Sequence, residues 1–450
     1  MLDYISSNIL SVIFVFGTVV IFHELGHFAV AKLLKIRVEA FAVGFGPRLF
    51  GFRRGETDYK VCAIPLGGYV KMAGENPGED LTGGVEEFLS RPKWQRFLVA
   101  VMGPVMNVLL AVVLLTGIYY FKYEEPAILT EPVVAGIVQY DSPAEKSGIL
   151  PGDSIVAVND RRNLTWDQFL LEVMTSGERP MELEIVRQGQ TIRQTVTPQA
   201  KGRERGGYLG VYPATPPFSL LVVKRVSKGK PAEEAGILPG DKIVRVGNID
   251  LIKAGKDLQE TLKRTTDSVV DLTLLRNGKE RIVQVKPYKE GERRLIGIEL
   301  DATQRMIVKD LTLFQALKEA VAKNVQIIGS IFDILQRLFK REVSVRMLEG
   351  PIGIARHSGM AAQSGFTDLL MLMAFISLNL GIMNLLPIPV LDGGVIAIIL
   401  LETLIRRDLT LAIRERITQV GFVVLILLAV VVTYNDIVRT LPASLTKYFP

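Results

Sequence analysis

The chain has few of the residues that most often hold metals or form covalent cross-links. Its 450 residues include one cysteine, Cys62, and three histidines. A lone cysteine excludes an intrachain disulfide and any metal site built on a cysteine cluster. Histidines and carboxylates remain as the candidate metal ligands.

The composition fits neither a purely soluble nor a purely membrane-embedded chain. Hydrophobic residues make up 48% and charged residues 22% of the sequence, and the mean hydropathy is +0.29. This mixture indicates membrane spans together with at least one soluble part. The formal charge is +6, but no basic run carries interleaved aromatic residues, so nucleic acid is not an expected partner.

Four windows lack charged residues for long enough to cross the hydrocarbon core of a bilayer, which takes about 20 residues. They cover residues 5–22, 97–121, 369–391 and 417–434. The first window could also be a cleaved signal peptide. However, Asp3 precedes it, no Lys or Arg stands before it, and no A-x-A site follows. We therefore predict four transmembrane helices.

The basic residues predict how these helices are oriented. Lys and Arg are concentrated in residues 32–96, after the first window, and in residues 406–416, after the third. Loops rich in Lys and Arg stay in the cytoplasm. The N-terminus, the long middle segment and the C-terminus are then expected on the outer side of the membrane.

An internal repeat occupies the middle of the chain. "SPAEKSGILPGDSIVAVND" begins at Ser142 and "KPAEEAGILPGDKIVRVGN" begins at Lys230. Alternating apolar segments that turn at glycine follow each copy, which predicts two small β-rich modules. The pattern resembles tandem PDZ domains at residues 125–206 and 207–300, and PDZ domains bind peptide tails by adding a strand to a sheet edge. A role as spacers or lids alone is the alternative.

Helical spacing follows the repeat in residues 311–339. Leu313, Leu317, Ile327 and Ile331 fall on one face, and Asp333 argues against a membrane crossing. Two placements remain open for this amphipathic segment. It can lie on the outer membrane surface, or it can be a core helix of a soluble part.

The stretch "HELGH" lies at the end of the first apolar window. His23 and His27 are four residues apart, so on a helix both imidazoles point the same way and can hold one metal ion. Glu24 can reach a metal-bound water, as in the H-E-x-x-H arrangement of metal hydrolases. Polar residues seldom persist in an apolar span without pairing or function. The alternative is a buried hydrogen-bond cluster.

A catalytic zinc site needs a third protein ligand and one open position. Asp392, at the end of the third window, offers a carboxylate. Residues that disfavour a helix flank it: Pro387, Pro389, Gly393 and Gly394. We expect them to break the helix before and after Asp392. Because broken backbone at membrane depth needs protein or water around it, this segment is predicted to line a wet cavity.

These motifs together resemble the site-2 protease family of intramembrane metalloproteases. HELGH stands in the first span, NLLPIPVLDG in the third, and the PDZ-like modules lie between them. The resemblance implies that His23, His27 and Asp392 are zinc ligands and that Glu24 is the catalytic base. Val395 stands where the family often has a histidine.

The resemblance also implies where a substrate binds. "IPLGGYVKM", residues 64–72, resembles the edge of a membrane-associated β-hairpin that holds substrate, which indicates Gly67, Gly68 and Tyr69. Asn384 and Pro387 match the asparagine and proline of the family's N-x-x-P-x-P-x-L-D-G motif. Asn379 and Asn384 are polar groups of the same span that could hold an unwound peptide. Three further family marks are "GFG" at residues 44–46, "GPVMN" at residues 103–107 and "GPI" at residues 350–352.

The expected substrates are single-span membrane proteins whose outer domain another protease has already trimmed. An anti-sigma factor and signal-peptide remnants are the examples that the resemblance implies. Two rival functions are a non-catalytic membrane scaffold and an ion or proton transporter, since polar residues in a span also mark proton paths. The zinc content of the purified protein separates both rivals from a protease.

The sequence thus predicts a multi-pass α-helical membrane protein with four transmembrane helices, two inserted β-rich PDZ domains and a membrane-associated β-hairpin. The expected N-terminal membrane part covers residues 1–124, the PDZ domains 125–206 and 207–300, an amphipathic periplasmic helical region 301–365, and the C-terminal membrane part 366–450. The expected location is a bacterial inner membrane. The PDZ domains would lie in the periplasm and the zinc site toward the cytoplasmic side.

Overall fold

Long helices stand at both ends of the chain and short strands fill its middle. The helices are α1 (Leu2–Leu33), α2 (Lys93–Tyr120), α3 (Pro143–Lys146), α4 (Trp166–Thr175), α5 (Pro231–Glu234), α6 (Leu258–Arg264), α7 (Leu313–Phe339), α8 (Pro351–Ser364), α9 (Phe366–Asn384), α10 (Asp392–Leu404) and α11 (Leu411–Thr440). The strands are β1 (Val38–Arg54), β2 (Thr57–Met72), β3 (Glu124–Pro126), β4 (Ala135–Val138), β5 (Ser154–Val158), β6 (Arg161–Arg162), β7 (Met181–Arg187), β8 (Gln190–Val196), β9 (Gln199–Lys201), β10 (Gly206–Tyr208), β11 (Val211–Pro213), β12 (Val223–Val226), β13 (Lys242–Val246), β14 (Ile249–Asp250), β15 (Val270–Arg276), β16 (Lys279–Val285), β17 (Tyr288–Glu290), β18 (Arg293–Leu295), β19 (Ile298–Leu300) and β20 (Met306–Val308).

The computed structural model describes most of the chain. The described residues are 2–75, 83–121, 124–126, 131–201, 205–213, 221–251, 258–290, 293–300, 306–308, 310–340, 342–343 and 349–440. The chain divides into two units. The first comprises residues 1–123, 310–339 and 348–450, and the second comprises residues 124–309 and 340–347.

Four helices among the described residues are long and apolar enough to cross a membrane. They are Leu10–Leu33 within α1, Lys93–Tyr120, Phe366–Asn384 and Leu411–Val438 within α11. The first three of these helices pack through buried apolar side chains such as Val19, Leu110 and Met373, the kind of contact that joins helices in lipid. The predicted multi-pass membrane protein with four spans and inserted β structure is confirmed.

The third apolar window is not one continuous helix. α9 is followed by a turn through residues 385–391, and α10 begins at Asp392. The predicted break after Asp392 is wrong, because Gly393 and Gly394 lie in the first turn of α10. A Cβ atom on Gly393 would come within 2.2 Å of the Leu386 carbonyl oxygen. The glycines therefore let the turn fold back against the start of α10.

The amphipathic segment after the repeat is helix α7. Its small and apolar side chains, among them Ala316, Ala320 and Ile331, pack against Ile118 of α2 and Leu378 of α9. Both partner helices are candidate membrane spans. These contacts favour a position at the membrane over the core of a soluble part.

The predicted β-hairpin is a sheet of four segments, because β1 and β2 both bend. Residues 38–43 of β1 pair with residues 68–72 of β2 on one side and with residues 58–61 on the other. Residues 48–54 of β1 pair with residues 57–62 of β2. Residues 68–72 are therefore an edge strand, and in the described part of the chain no strand pairs with their other side. We call residues 68–72 the edge strand.

Two glycines allow β1 to bend. Gly44 and Gly46 have φ angles of 87° and 85°, in the left-handed region that strains residues with a Cβ atom. A Cβ atom on Gly44 would also lie 2.5 Å from the carbonyl oxygen of Ile64. The "GFG" segment thus has a structural role in shaping the sheet.

A buried aspartate joins the last span to α8. The Asp436 carboxylate accepts hydrogen bonds of 3.0 Å from the backbone N–H groups of Gly350, Ile352 and Gly353. A helix leaves its first N–H groups unpaired, and a negative charge is favoured at that end. Asp436 is 2% exposed, so this charged group in an apolar helix has a structural role that sequence reasoning missed.

The two repeat copies fold into modules with equivalent sheets. The strand order is β6-β5-β7-β8 in the first module and β14-β13-β15-β16 in the second. Each module has its own core, which includes Trp166 and Leu183 in the first and Ile243 and Leu272 in the second. The prediction of two β-rich modules is confirmed.

The repeated "GILPGD" segment places the same ion pair in both modules. In the first, the Arg187 guanidinium donates hydrogen bonds of 2.7 Å to both oxygens of Asp153. In the second, Arg276 donates bonds of 2.6 Å to both oxygens of Asp241. Burial alone would raise the pKa of Asp241, but the Arg276 guanidinium and the Leu238 backbone N–H hold it below its usual value. The repeated aspartate is therefore a structural residue.

The first and last strands of the second unit pair with each other. β3 and β20 are antiparallel, with Glu125 opposite Ile307. The two ends of the inserted segment therefore lie side by side.

Candidate metal centre

Three side chains from distant parts of the chain converge at one point. Nε2 of His23 and Nε2 of His27, both on α1, are 3.3 Å apart. Asp392 places Oδ2 3.1 Å from Nε2 of His23 and Oδ1 3.4 Å from Nε2 of His27. Within the described residues, this is the one group of three or more potential ligands whose donor atoms all lie within 4.8 Å of one another.

The spacing of these atoms fits a small tetrahedral ion. Zinc binds imidazole nitrogen and carboxylate oxygen at about 2.0–2.2 Å, so two donors at a tetrahedral angle are about 3.4 Å apart. The two Nε2 atoms are 3.3 Å apart, and Asp392 places Oδ2 3.1 Å from His23 and its other oxygen, Oδ1, 3.4 Å from His27. When Asp392 gives one oxygen, the three residues supply three donors and leave the fourth tetrahedral position open, which a catalytic zinc site requires.

Helix α2 packs directly against both imidazoles. A Cβ atom on Gly103 would lie 2.2 Å from Nε2 of His27 and 2.8 Å from Cε1 of His23, so a glycine is needed here. Nδ1 of His27 lies 2.9 Å from the carbonyl oxygen of Val99. A carbonyl can only accept, so the proton of a neutral His27 is on Nδ1 and its Nε2 lone pair faces the other donor atoms.

Glu24 lies beside the three potential ligands and faces the edge strand. Glu24 and Val70 of the edge strand line the same cavity. A Cβ atom on Gly68 would lie 3.3 Å from Cγ of Glu24, so the strand passes close to this side chain. The carboxylate is thus placed to move a proton next to the candidate metal position without itself belonging to the ligand group.

One cavity of about 510 Å³ contains the ligand atoms, the candidate base and the edge strand. It is lined by His23, Glu24 and His27 of α1, Tyr69, Val70 and Met72 of β2, Asn384, Pro389, Val390 and Leu391 around the turn, Asp392 of α10, and Arg414 and Thr418 of α11, among others. The helical wall and the edge strand therefore border the same space.

Several predicted substrate-binding residues reach this cavity. The Asn384 amide nitrogen lies 3.2 Å from Nε2 of His23, and Tyr69 is part of the cavity wall. Gly68 lies against Glu24. Asn384 and Tyr69 thus border the cavity, and Gly68 lies next to the candidate base.

Other predicted substrate-binding residues lie elsewhere. Asn379 and Pro387 are not among the residues that line the cavity, and the Asn379 amide donates to the Phe375 carbonyl in its own helix. Gly67, with φ of 106°, packs against the ring of Phe45. Gly67 directly precedes the edge strand, between the paired residues Ile64 and Gly68.

Sequence reasoning missed the contribution of α2. The "GPVMN" segment was a family mark without a role, yet Gly103 makes room for both imidazoles. The Asn107 amide nitrogen lies 3.1 Å from Nδ1 of His23. A glycine and an amide four residues apart in an apolar span were a visible signal of close packing around polar groups. The sequence did not show that this face of α2 packs against the histidines of α1.

A buried ion network adjoins the cavity. Glu402 of α10 is fully buried, accepts a 2.5 Å hydrogen bond from Arg414 of α11 and lies 3.6 Å from Arg96 of α2. Buried charges are tolerated when they are paired in this way. The network ties three helices together at the wall that Arg414 contributes to the cavity.

Comparison with known proteins identifies the family. The family model described as peptidase family M50 matches residues 11–428. A Treponema pallidum protein whose name marks it as a candidate zinc metalloprotease is 30% identical over 445 residues, 94% of this chain and 97% of that protein. The Salmonella typhimurium protein named regulator of sigma-E protease RseP is 29% identical over 459 residues, 96% of this chain and 98% of that protein. The chain belongs to peptidase family M50.

Proposed function

We propose that this M50 peptidase is a zinc metalloendopeptidase that cleaves the membrane-spanning segment of single-span proteins. The observation that carries the proposal is the convergence of His23, His27 and Asp392, with Glu24 beside them, in a cavity between candidate membrane spans. Ionisable groups in a span face protein or water and mark function. A peptide bond that is cut in this cavity therefore belongs to a segment that lies within the membrane.

In this proposal His23, His27 and Asp392 hold the zinc ion. A zinc ion held there would supply Lewis-acid chemistry for polarising the scissile carbonyl and activating a water molecule. The Glu24 carboxylate would accept a proton from the water that adds to the scissile carbonyl carbon, and would give that proton to the amine nitrogen as the carbon–nitrogen bond breaks. The position of Glu24 next to the ligand group, but outside it, supports this division of roles.

The edge strand and Asn384 hold the substrate. A membrane helix pairs its own backbone groups, so the segment to be cut must unwind, and each freed group needs a partner. The open side of residues 68–72 supplies such partners by strand addition. The Asn384 amide, 3.2 Å from Nε2 of His23, supplies a donor on the other side of the cavity.

The modules at residues 125–206 and 207–300 are PDZ domains in the periplasm of a bacterium, where they bind peptide tails or screen substrates. Residues 301–365 form an amphipathic periplasmic helical region whose helix in residues 311–339 lies on the outer membrane surface, and the zinc site lies toward the cytoplasmic side of the inner membrane. The distribution of Lys and Arg supports this orientation. The name of the Salmonella relative, a regulator of sigma-E protease, supports anti-sigma-factor-like substrates, with signal-peptide remnants as a second group.

Zinc content and cleavage test the proposal together. We expect the purified protein to contain one zinc ion and to cut a single-span peptide. Asp392→Asn should lose both zinc and activity, because an amide is a poorer donor than a carboxylate and three ligands are the minimum for a catalytic site. Asp368→Asn is the matched control, since Asp368 is exposed in the first turn of α9. Wild-type zinc content in Asp392→Asn would show that the third ligand lies elsewhere.

Deleting the modules tests whether they act as a size filter. Replacing residues 131–299 with a flexible linker leaves β3 and β20 paired, and the module cores contain no residue of the first unit. The shortened enzyme should cut an untrimmed substrate that the full chain leaves intact, and both should cut a trimmed one. The same deletion with Glu24→Gln is the inactive control. If the shortened enzyme still does not cut the untrimmed substrate, the membrane part and not the modules excludes large substrates.

A further inference from the structure

One face of α2 presents three groups to the two histidines of α1. Val99, Gly103 and Asn107 are four residues apart in turn, so they follow one another along the same face of the helix. Val99 contacts His27, Gly103 contacts both imidazoles and Asn107 contacts His23. The spacing of this row matches the four-residue spacing of the histidines themselves.

The two imidazoles need the same tautomer, but different groups of α2 face their Nδ1 atoms. The Val99 carbonyl oxygen accepts a hydrogen bond from Nδ1–H of His27, which leaves the Nε2 lone pair of His27 free for a metal ion. His23 needs the same arrangement in order to offer its Nε2 lone pair to a metal ion. Its Nδ1 must then carry the proton and must find an acceptor.

Asn107 faces Nδ1 of His23. Its amide nitrogen lies 3.1 Å from that atom, Asn107 is fully buried, and its Oδ1 is a buried oxygen with no hydrogen-bond partner. A half turn of a side-chain amide exchanges its oxygen and nitrogen within the same space. That half turn brings Oδ1 opposite Nδ1 of His23.

We propose that Asn107 is a positioning residue of the metal centre, whose side-chain oxygen accepts a hydrogen bond from Nδ1–H of His23 and thereby directs Nε2 at the zinc ion. The inference rests on the proposed function, because it concerns the same zinc site. Asn107 does not touch the metal or the reacting atoms and acts through His23 alone.

The backbone around Asn107 is held independently of this contact. The Ser377 hydroxyl of α9 donates a hydrogen bond of 2.8 Å to the Asn107 carbonyl oxygen, and Ser377 is fully buried. A change at Ser377 therefore perturbs the same helix contact without removing the group that faces His23. This makes Ser377→Ala a matched control for changes at Asn107.

The test measures zinc affinity by competition with a chromophoric chelator, using the full chain in detergent. Asn107→Leu has a similar size and no acceptor, and it should bind zinc about 10–100-fold more weakly, as expected when the outer partner of a ligating histidine is lost. Asn107→Asp keeps an acceptor and should remain close to the wild type. Asn107→Gln, which keeps a neutral amide oxygen on a side chain long enough to reach Nδ1 of His23, replaces it if the carboxylate prevents folding. Ser377→Ala should match the wild type in zinc affinity.

The melting temperature of each zinc-depleted variant separates positioning from folding. The inference predicts that Asn107→Leu loses zinc affinity at an unchanged melting temperature. Wild-type affinity in Asn107→Leu would overturn it, and so would an equal loss in the leucine and the acceptor-bearing variant. If the wild-type chain itself binds no zinc, the proposed function fails instead, and that result is seen before any variant is compared.

Discussion

Glu24→Gln is expected to lower the rate of peptide cleavage by about 10²–10⁴-fold while zinc stays bound, since that is the usual contribution of a positioned general base. The glutamine side chain has nearly the same size, but its amide does not take up a proton. Glu24 lines the cavity beside the ligand group without belonging to it. Turnover of a single-span peptide and zinc content should be measured on the same preparation.

Glu75→Gln is the matched control for this substitution. Glu75 lines the same cavity and accepts a hydrogen bond from the backbone N–H of Met72, which an amide oxygen can also accept. This variant should keep most of the activity. A Glu24→Gln protein that loses its zinc together with its activity would contradict the role of Glu24 as a base and make it part of the metal-binding structure.

Gly103→Ala is expected to weaken zinc binding by about 100-fold or more, beyond the usual effect of losing an outer contact to a ligand. The added methyl group would lie 2.2 Å from Nε2 of His27 and 2.6 Å from its Cε1. Both imidazoles would have to turn away or the two helices would have to separate. Either response moves donor atoms from the spacing that fits the ion.

Gly117→Ala, on the same helix, controls for the change in helix propensity. A Cβ atom there has no neighbour within 4 Å, so the substitution should be neutral or should stabilise the helix by about 0.5–1 kcal/mol. Zinc affinity and thermal stability should be compared for the two variants. Equal zinc affinity in Gly103→Ala and the wild type would mean that α2 does not confine the histidines.

Much of this protein could be predicted from local sequence patterns. Charge-free windows of about 20 residues indicate spans because a bilayer has a fixed thickness. The spacing of His23 and His27 sets their common direction because helix geometry is local. The two "GILPGD" copies predicted two modules, since equal sequences favour equal folds. Each of these predictions depends on residues that are close together in the chain.

Other features depend on which distant segments come together. The partner of the histidines across α2, at Gly103 and Asn107, required the packing of α1 on α2. The buried pairing of Asp436 with the start of α8 required the position of the last span. Neither contact leaves a periodic signal in the sequence.

The turn before Asp392 shows most clearly what local sequence patterns do not determine. Proline and glycine indicate that the backbone breaks, but they do not say where it resumes. The structure places Asp392 at the first position of a new helix and turns Asn379 away from the cavity. Whether Asp392 or Asn379 faces the cavity depends on how α9 and α10 rotate against α1 and α2. That rotation is set by close packing between helices, which no single helix encodes by itself.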